Sequence, residues 1–348
     1  MSRPFPSLTP ELQRLAGQAT QSALLEEERV LTGRRCRPEE LLTRYAGNPI
    51  LTKADWPYPI NVTFNPAATL LADGTTLLLC RIEDRQGSSH LSVARSRNGL
   101  DGWEIDPMPS LAPQPELHPE EMWGIEDARI TYVPDEDRYA VAYTSYSPTG
   151  PGVSLAFTRD FRDYEKLGQV LPPENKDAAL FPRKIGGQWA MIHRPVIGGT
   201  KAHIWVSYSP DLVYWGRHKI VIPSRCGPWW DSARVGLACP PIETEEGWLV
   251  IYHGVKMTVA GAVYRIGLAL LDMENPHQCI ARAKNWIMTP ETEYETVGDI
   301  HNVVFPCGYT LDPADGDTLR LYYGGADSCV AVATGSVREM LEFLGNDC

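Results

Sequence analysis

Two adjacent carboxylates and an arginine interrupt an otherwise apolar stretch, W-G-I-E-D-A-R-I, from Trp123 to Ile130. Charge carried into a strand costs free energy unless it is paired or put to use. Asp127 is therefore either a structural residue that closes a turn of the fold or a carboxyl kept for chemistry. Other polar side chains stand at comparable places, at the starts or ends of apolar runs: Asn65 in F-N-P-A-A, Arg81 in L-C-R-I-E, Lys176 in N-K-D, Arg194 in H-R-P, His253 in Y-H-G and Asp327 in G-G-A-D. Each alone has an ordinary reading, as a solvated lysine, a satisfied histidine or a turn-forming aspartate. They become a site only if the fold brings them together.

A repeat provides the means. The segments FNPAATLLADGTTLLLCRIED, IEDARITYVPDEDRYAVAYTSY, LFPRKIGGQWAMIHRP, ACPPIETEEGWLVIYHGV and VFPCGYTLDPADGDTLRLYYGGAD each open with a short strand, turn on Asp or Gly, and enter a stronger strand with a polar or aromatic end. Third strands follow in LSVARSRNGLDGW, VSLAFTRDFRDY, IWVSYSPDLVYW and IGLALLDMENP. The period of roughly 60 residues lies in the range of radial or stacked repeats, and four short strands per unit fit propeller blades. The expected fold is all-β, a five-bladed β-propeller over residues 49–348; a pair of β-sandwiches accounts for the repeat poorly. Residues 1–48 read as an N-terminal helical arm, with a start signal at Thr9-Pro10-Glu11 and a second short helix at Pro38–Leu42. S-V-R-E-M-L-E-F-L predicts a short C-terminal helix. In a propeller the inner strands line a channel and their ends converge, so the polar residues above gather around one funnel.

Composition excludes other classes. The 348 residues carry a net charge of −12, which argues against a general nucleic-acid or membrane binder but permits a local anion pocket. The N-terminus lacks the apolar core of a signal peptide and no run is long enough to span a bilayer, so a cytoplasmic location is expected. The eight cysteines include no C-x-x-C pair, so reduced thiols and no metal site are expected.

The strings NPAA, GIEDARI, NKDAALFPRKIGGQWAMIHRP, WDSARVGLACPPIETEEGWLVIYHGV, NVVFPCG and YYGGADS resemble glycoside hydrolase family 130. That family holds inverting β-mannoside phosphorylases and some β-mannosidases on a five-bladed propeller, and the likeness runs from about Asn48 to about Thr334. The resemblance implies that Asp127 is the general acid, delivering its proton through the mannosyl 3-hydroxyl to the glycosidic oxygen, while phosphate attacks the anomeric carbon and yields α-mannose 1-phosphate. Lys176, Arg194 and His253 match the family's phosphate seat, with Arg234 a fourth candidate. Such cations suit phosphate through charge-assisted hydrogen bonds, and three of them from three different blades point to an anion site. Asn65, Arg81 and Asp327 match sugar contacts. Glu126 either pairs with Arg129 or reaches the sugar. Tyr146, Trp123, Trp229 and Trp230 are candidate walls for further sugars, with core or rim packing as the ordinary alternative. Ala128 stands where many relatives have proline, Lys176 where some have arginine and Arg234 where others have lysine. These swaps keep the charges and leave linkage and acceptor open.

The leading expectation is a phosphorylase acting on a small carbohydrate with inorganic phosphate as co-substrate and no cofactor. Its nearest rival, a β-mannosidase, needs a second carboxylate to activate water, and Glu83, Asp84, Asp177 and Asp231 are the candidates. A non-catalytic carbohydrate-binding propeller is the reading from another class. The helical arm, with no blade to cover, is expected at a homo-oligomer interface.

Overall fold

The computed structural model describes residues 41–197 and 201–347. The expected arm therefore lies outside the described residues, apart from its last positions. Leu41 and Leu42 lie in a bend, and β1 (Thr43–Arg44) already belongs to a sheet, ahead of the expected boundary at residue 48.

From Val62 onward the chain lays down antiparallel sets of four strands in order. The first set is β2 (Val62–Leu70), β3 (Thr76–Glu83), β4 (Ser89–Ser96) and β5 (Glu104–Ile105). The second is β6 (Ile125–Val133), β7 (Arg138–Ser147), β8 (Gly150–Thr158) and β9 (Glu165–Leu171). A ten-stranded sheet follows. It contains the run β10 (Asn175–Leu180), β11 (Trp189–Ile197), β13 (Ile204–Ser209), β14 (Gly216–Ile222), and the run β15 (Arg234–Leu237), β17 (Trp248–Thr258), β18 (Gly261–Leu271), β19 (Cys279–Arg282). Two-residue β12 (Lys201–Ala202) bridges β11 to β15, and β16 (Ile242–Glu243) adds to β17. Helix α1 (Glu293–Thr296) precedes the last set, β20 (Val304–Leu311), β21 (Thr318–Gly325) and β22 (Cys329–Ser336), which β1 completes by pairing with β22. Among the described residues no helix is long and apolar enough to cross a membrane.

The sequence pattern explains the stacking. Second strands are buried on both faces, so they read as near-continuous apolar runs, and alternate residues serve two different cores. Leu77 and Leu79 of β3 enter the cluster shared with the second set; Leu78, Cys80 and Ile82 enter the cluster shared with the last. Val141 and Tyr143 of β7 face one way, Ala140 and Ala142 the other. Trp248, Val250 and Tyr252 of β17 join the core with the third run, while Leu249 and Ile251 join the core with the last set. Each of the five larger clusters lies between two consecutive sets of strands, and one of them joins the last set to the first.

The C-terminal helix α2 (Val337–Asp347) forms where S-V-R-E-M-L-E-F-L predicts it. Ser336 caps it, its hydroxyl accepting from the Glu339 amide at 3.1 Å, and Val337, Met340 and Leu344 fill the core between the fourth and last sets.

Candidate active site

The first strands of the sets carry a shared irregularity. Pairing slips between Phe64 and Ala67 on β2, between Glu126 and Arg129 on β6, between Lys176 and Ala179 on β10, and between Pro306 and Gly308 on β20. At three of these bulges the extra residue takes a left-handed backbone: Asn65 (φ 46°), Asp127 (φ 48°) and Asp177 (φ 53°). Asn and Asp are the non-glycine residues that tolerate this region best, and a bulge re-aims its side chain out of the alternating pattern. A carboxylate thus leaves the face it would otherwise share with Ile125 and becomes available to neighbouring sheets. The strain, of order 1–3 kcal/mol per residue, is characteristic of functional positions.

The neighbouring strand supplies the second half of the site. Opposite the residue before each bulge stand Arg81 (across from Phe64) and Arg194 (across from Lys176), and His253 holds the like place across from Gly236. In the second set that place holds Thr144, across from Glu126.

Asp127 is 4% exposed. Its Oδ1 accepts from Asn65 Nδ2 at 3.0 Å and from Arg81 Nη1 at 3.2 Å. Arg81 also donates through Nη2 to Glu126 Oε1 at 3.1 Å, through Nε to Ser89 Oγ at 3.0 Å, and lies over the Phe64 ring. Among the described residues nothing bonds to Asp127 Oδ2, and that atom is not sealed from solvent. Burial pushes the carboxyl up, but Arg81, Lys176, Arg129 and the Asn65 hydrogen bond together hold it below the usual carboxylate range. Asp327 behaves in the opposite way. It stands in the turn between β21 and β22, and burial first, then the Asp127 charge, raise it to about 7 against the pull of Arg81 and Lys176.

The basic residues form a second centre around Asp177, which is wholly buried. Arg194 Nε donates to Asp177 Oδ2 at 2.6 Å, His253 Nε2 lies 3.5 Å from the same oxygen, and Arg129 Nη2 lies 3.5 Å from Oδ1. Among the described residues Lys176 Nζ has only Glu126 Oε2, at 3.8 Å. Arg234 donates to Tyr264 Oη at 2.7 Å, and its charge reaches His253. Burial outweighs the attraction of Asp177 and lowers the His253 imidazole to about 3, so it is neutral. Two sequence expectations are corrected here. Lys176 and Arg194 are cross-strand partners in one sheet, so the trio spans two sets of strands, not three. The trio also holds two cations and a neutral ring, because desolvation disfavours a third charge.

Asn65, Arg81, Glu126, Asp127, Lys176, Arg194 and His253 are thus linked by direct contacts or through Asp177, with Asp327 and Arg234 in their electrostatic field. Tyr146 stands at the rim, 37% exposed, its ring edge-on to Trp123 at 5.3 Å. Its backbone pairs with Trp123 and Gly124, at the entrance to β6. Trp229 lies beneath Arg225, partly exposed. Trp230 is no sugar platform: it is buried, stacked on Tyr252, with its indole nitrogen donating to Lys284 O.

Glu126 does not pair with Arg129: its carboxylate meets Arg81 and Lys176, while Arg129 is taken up by backbone carbonyls. Arg129 is 1% exposed and donates to the Asp127, Leu237 and Ala238 carbonyls, tying the second set of strands to the fourth. The candidate water-activating acids are likewise engaged. Asp231 Oδ2 takes Arg282, Arg225 and Tyr252; Asp84 caps its own turn by accepting from Gln86 N and Ser88 N; Glu83 accepts from Asn61. Arg129 is a central residue that sequence reasoning does not place in the site, and Asp177 enters that reasoning only as a candidate base for hydrolysis, not as a partner of the cations. A signal existed: N-P-A, D-A-R and D-A-A occupy the same position at the openings of three repeats.

The sequence model of a family described as beta-1,4-mannooligosaccharide phosphorylase matches residues 39–346. A beta-1,4-mannooligosaccharide phosphorylase of Ruminococcus albus is 34% identical over 314 residues, 88% of this chain and 91% of that protein. A beta-1,2-mannobiose phosphorylase of Listeria innocua is 39% identical over 257 residues, 74% of this chain and 69% of that protein. A solved structure of the beta-1,2-mannobiose phosphorylase from Listeria innocua, in complex with beta-1,2-mannobiose, superposes with a TM-score of 0.79 at 31% identity, covering 88% of this chain and 99% of the other. With the family model spanning most of the sequence and relatives above 30% identity along it, this chain belongs to glycoside hydrolase family 130.

Proposed function

We propose that the protein catalyses the inverting phosphorolysis of a terminal β-mannoside in a manno-oligosaccharide or mannosyl disaccharide, giving α-mannose 1-phosphate in a reversible reaction. The activities named for its relatives support the substrate class. The observation that carries the reading is the pairing of one carboxyl with an open oxygen, Asp127, with an adjacent anion seat. In that seat Lys176 Nζ and the terminal nitrogens of Arg194 are not hydrogen-bonded to any described residue. The five sets of strands and the five cores between them support a five-bladed propeller with this site at one end of its axis.

In the reaction the Asp127 carboxyl gives its proton to the mannosyl 3-hydroxyl, which passes its own to the glycosidic oxygen. The bond from the anomeric carbon to that oxygen breaks, and a phosphate oxygen bonds to the anomeric carbon from the opposite face. Asn65 and Arg81 fix the acid through one oxygen and leave the other for the sugar. In the free site, cations hold Asp127 ionised. A phosphate dianion placed among Lys176, Arg194 and Arg234 screens those cations and adds negative charge nearby. Screening of Lys176 and the added negative charge both push the Asp127 pKa upward, toward the protonated form that a general acid needs.

Hydrolysis requires a second carboxylate with room for water between the two. Asp177, Asp231, Asp84 and Glu83 are each committed to other partners, which disfavours that route. The test is mannose release from β-mannobioses of different linkage, with and without inorganic phosphate. Strict phosphate dependence with mannose 1-phosphate as product is expected; free mannose at an undiminished rate without phosphate refutes the reading.

A further inference from the structure

We propose that Asp177 is the positioning residue of the anion seat. It holds Arg194 from behind and sets the place of His253, so that the outer edge of the guanidinium is presented to phosphate. The inference rests on the phosphorolytic reading above.

The geometry separates this role from that of a base. Asp177 has no exposed surface, and its Oδ2 is taken by Arg194 Nε at 2.6 Å, so no water can be activated there. Holding an arginine by Nε fixes the plane of its guanidinium while leaving both terminal nitrogens free. In Arg194 those nitrogens bond to no described residue and are not sealed from solvent. A guanidinium in that state can engage an anion through two parallel hydrogen bonds at little further entropic cost.

Asp177 also gathers residues from neighbouring sheets. Arg129 Nη2 comes from β6 and His253 Nε2 from β17, each 3.5 Å away. Gly236 of β15 lies directly against the carboxylate and the His253 imidazole: a Cβ at residue 236 would collide with Asp177 Oδ2 and with His253 Nε2 and Cε1. The backbone of Gly236 needs no left-handed conformation, so its lack of a side chain answers to this close approach alone. Without the buried anion, Arg129 and Arg194 would lose the carboxylate they share, and Arg194 the contact that aims it.

The experiment measures initial rates against phosphate and against mannoside for the wild type, Asp177→Ala, Asp177→Asn and Gly236→Ala, with thermal unfolding of each. Asp177→Ala is expected to raise the KM for inorganic phosphate at least about tenfold, the scale of one lost charge-assisted contact, with the mannoside KM within about twofold of wild type. Asp177→Asn keeps an acceptor for Arg194 Nε and is expected to recover much of that loss. Gly236→Ala removes no charge but pushes on the same pair, and is expected to raise the phosphate KM as well. A folded Asp177→Ala with unchanged phosphate KM overturns the inference. So do two KM values that rise together in proportion to lost thermal stability, which is what a merely structural carboxylate gives. Should both Asp177 variants fail to fold, Gly236→Ala decides by the same criterion. A wild type indifferent to phosphate refutes the phosphorolytic reading and this inference with it, whereas a phosphate-dependent wild type with unmoved variants refutes the inference alone.

Discussion

Glu121 and Glu295 are as deeply buried as Asp127, yet the two kinds of acid are treated differently. Glu121 Oε1 accepts from Tyr143 Oη at 2.7 Å, and Oε2 from Lys166 Nζ at 2.7 Å and Gln114 N at 2.8 Å. Glu295 is bound through both oxygens to Arg44, and adds Tyr323 Oη, Glu291 N and Thr292 N. Both acids staple loops to the sheets and no oxygen is left over. Asp127, by contrast, is anchored through Oδ1 alone. A saturated carboxylate can only hold structure; one with a free oxygen among excess cations can still bind a hydroxyl or carry a proton. An oxygen that is both unbonded and open to solvent, rather than burial or charge, sets Asp127 apart from these acids; Asp177 and Asp231 also leave Oδ1 without a hydrogen-bond partner among the described residues, but sealed inside.

Asp127→Asn should show the largest effect. The amide can still meet Asn65 or Arg81 through its oxygen, so the fold is expected to survive with a melting temperature close to wild type. Turnover should fall by about 10²–10⁴-fold, the range for removal of a general acid. Steady-state rates and circular dichroism on one preparation check this. Retained activity would place Asp127 with Glu295, among the acids that only hold structure.

Glu295→Gln should give the reverse pattern. It removes the charge that Arg44 pairs with and so loosens β1 and the segment around α1. The expected loss is roughly 2–3 kcal/mol in urea unfolding, below the 3–5 of a fully buried pair because Arg44 is partly exposed. The kcat should change less than about twofold. A fall in kcat at unchanged stability would mean that a saturated acid can serve the chemistry after all, and would break the distinction.

The same distinction explains how far the sequence could be read. Alternation and turn residues carry the strands: the register of β3, β7 and β17 follows from apolar residues at both parities, and the repeat places Asn65, Asp127 and Asp177 at equivalent openings, with Lys176 one residue before the last of them. The basic residue at the second-strand position is legible for the same reason, since Arg81, Arg194 and His253 each end an apolar run. Saturation is not legible. That Asp231 Oδ2 is taken by Arg225, Arg282 and Tyr252 while its Oδ1 is sealed from solvent depends on residues far apart in the chain meeting across strands. The bulges are equally hidden, because a strand pattern assumes unbroken alternation. Strand alternation alone therefore leaves Glu126 open between Arg129 and the sugar, and Asp177 open as a base although Arg194 takes its Oδ2. The neutrality of His253 is hidden as well, because burial is a property of the fold and its desolvation has no local sequence mark.

The smallest effect, and the finest test of the comparison, concerns Asp327. It lies in the field of the cations that lower Asp127, yet it is raised to about 7, by burial first and then by the Asp127 charge. An acid whose folded pKa lies above its unfolded value near 4 binds a proton in the native state that the unfolded chain releases. Its contribution to stability is therefore present at low pH and is lost as pH rises from about 4 to about 7. Asp327→Asn abolishes that dependence, so the variant should gain stability relative to wild type between pH 5 and pH 8, by roughly 1–2 kcal/mol after allowance for partial solvation. Urea unfolding at the two pH values measures it, and a difference that does not change with pH would remove the assignment. Repeating the comparison in an Asp127→Asn background sharpens it further. With the neighbouring negative charge gone and Arg81 and Lys176 freed from it, the Asp327 pKa should fall, and the pH-dependent gain should shrink with it.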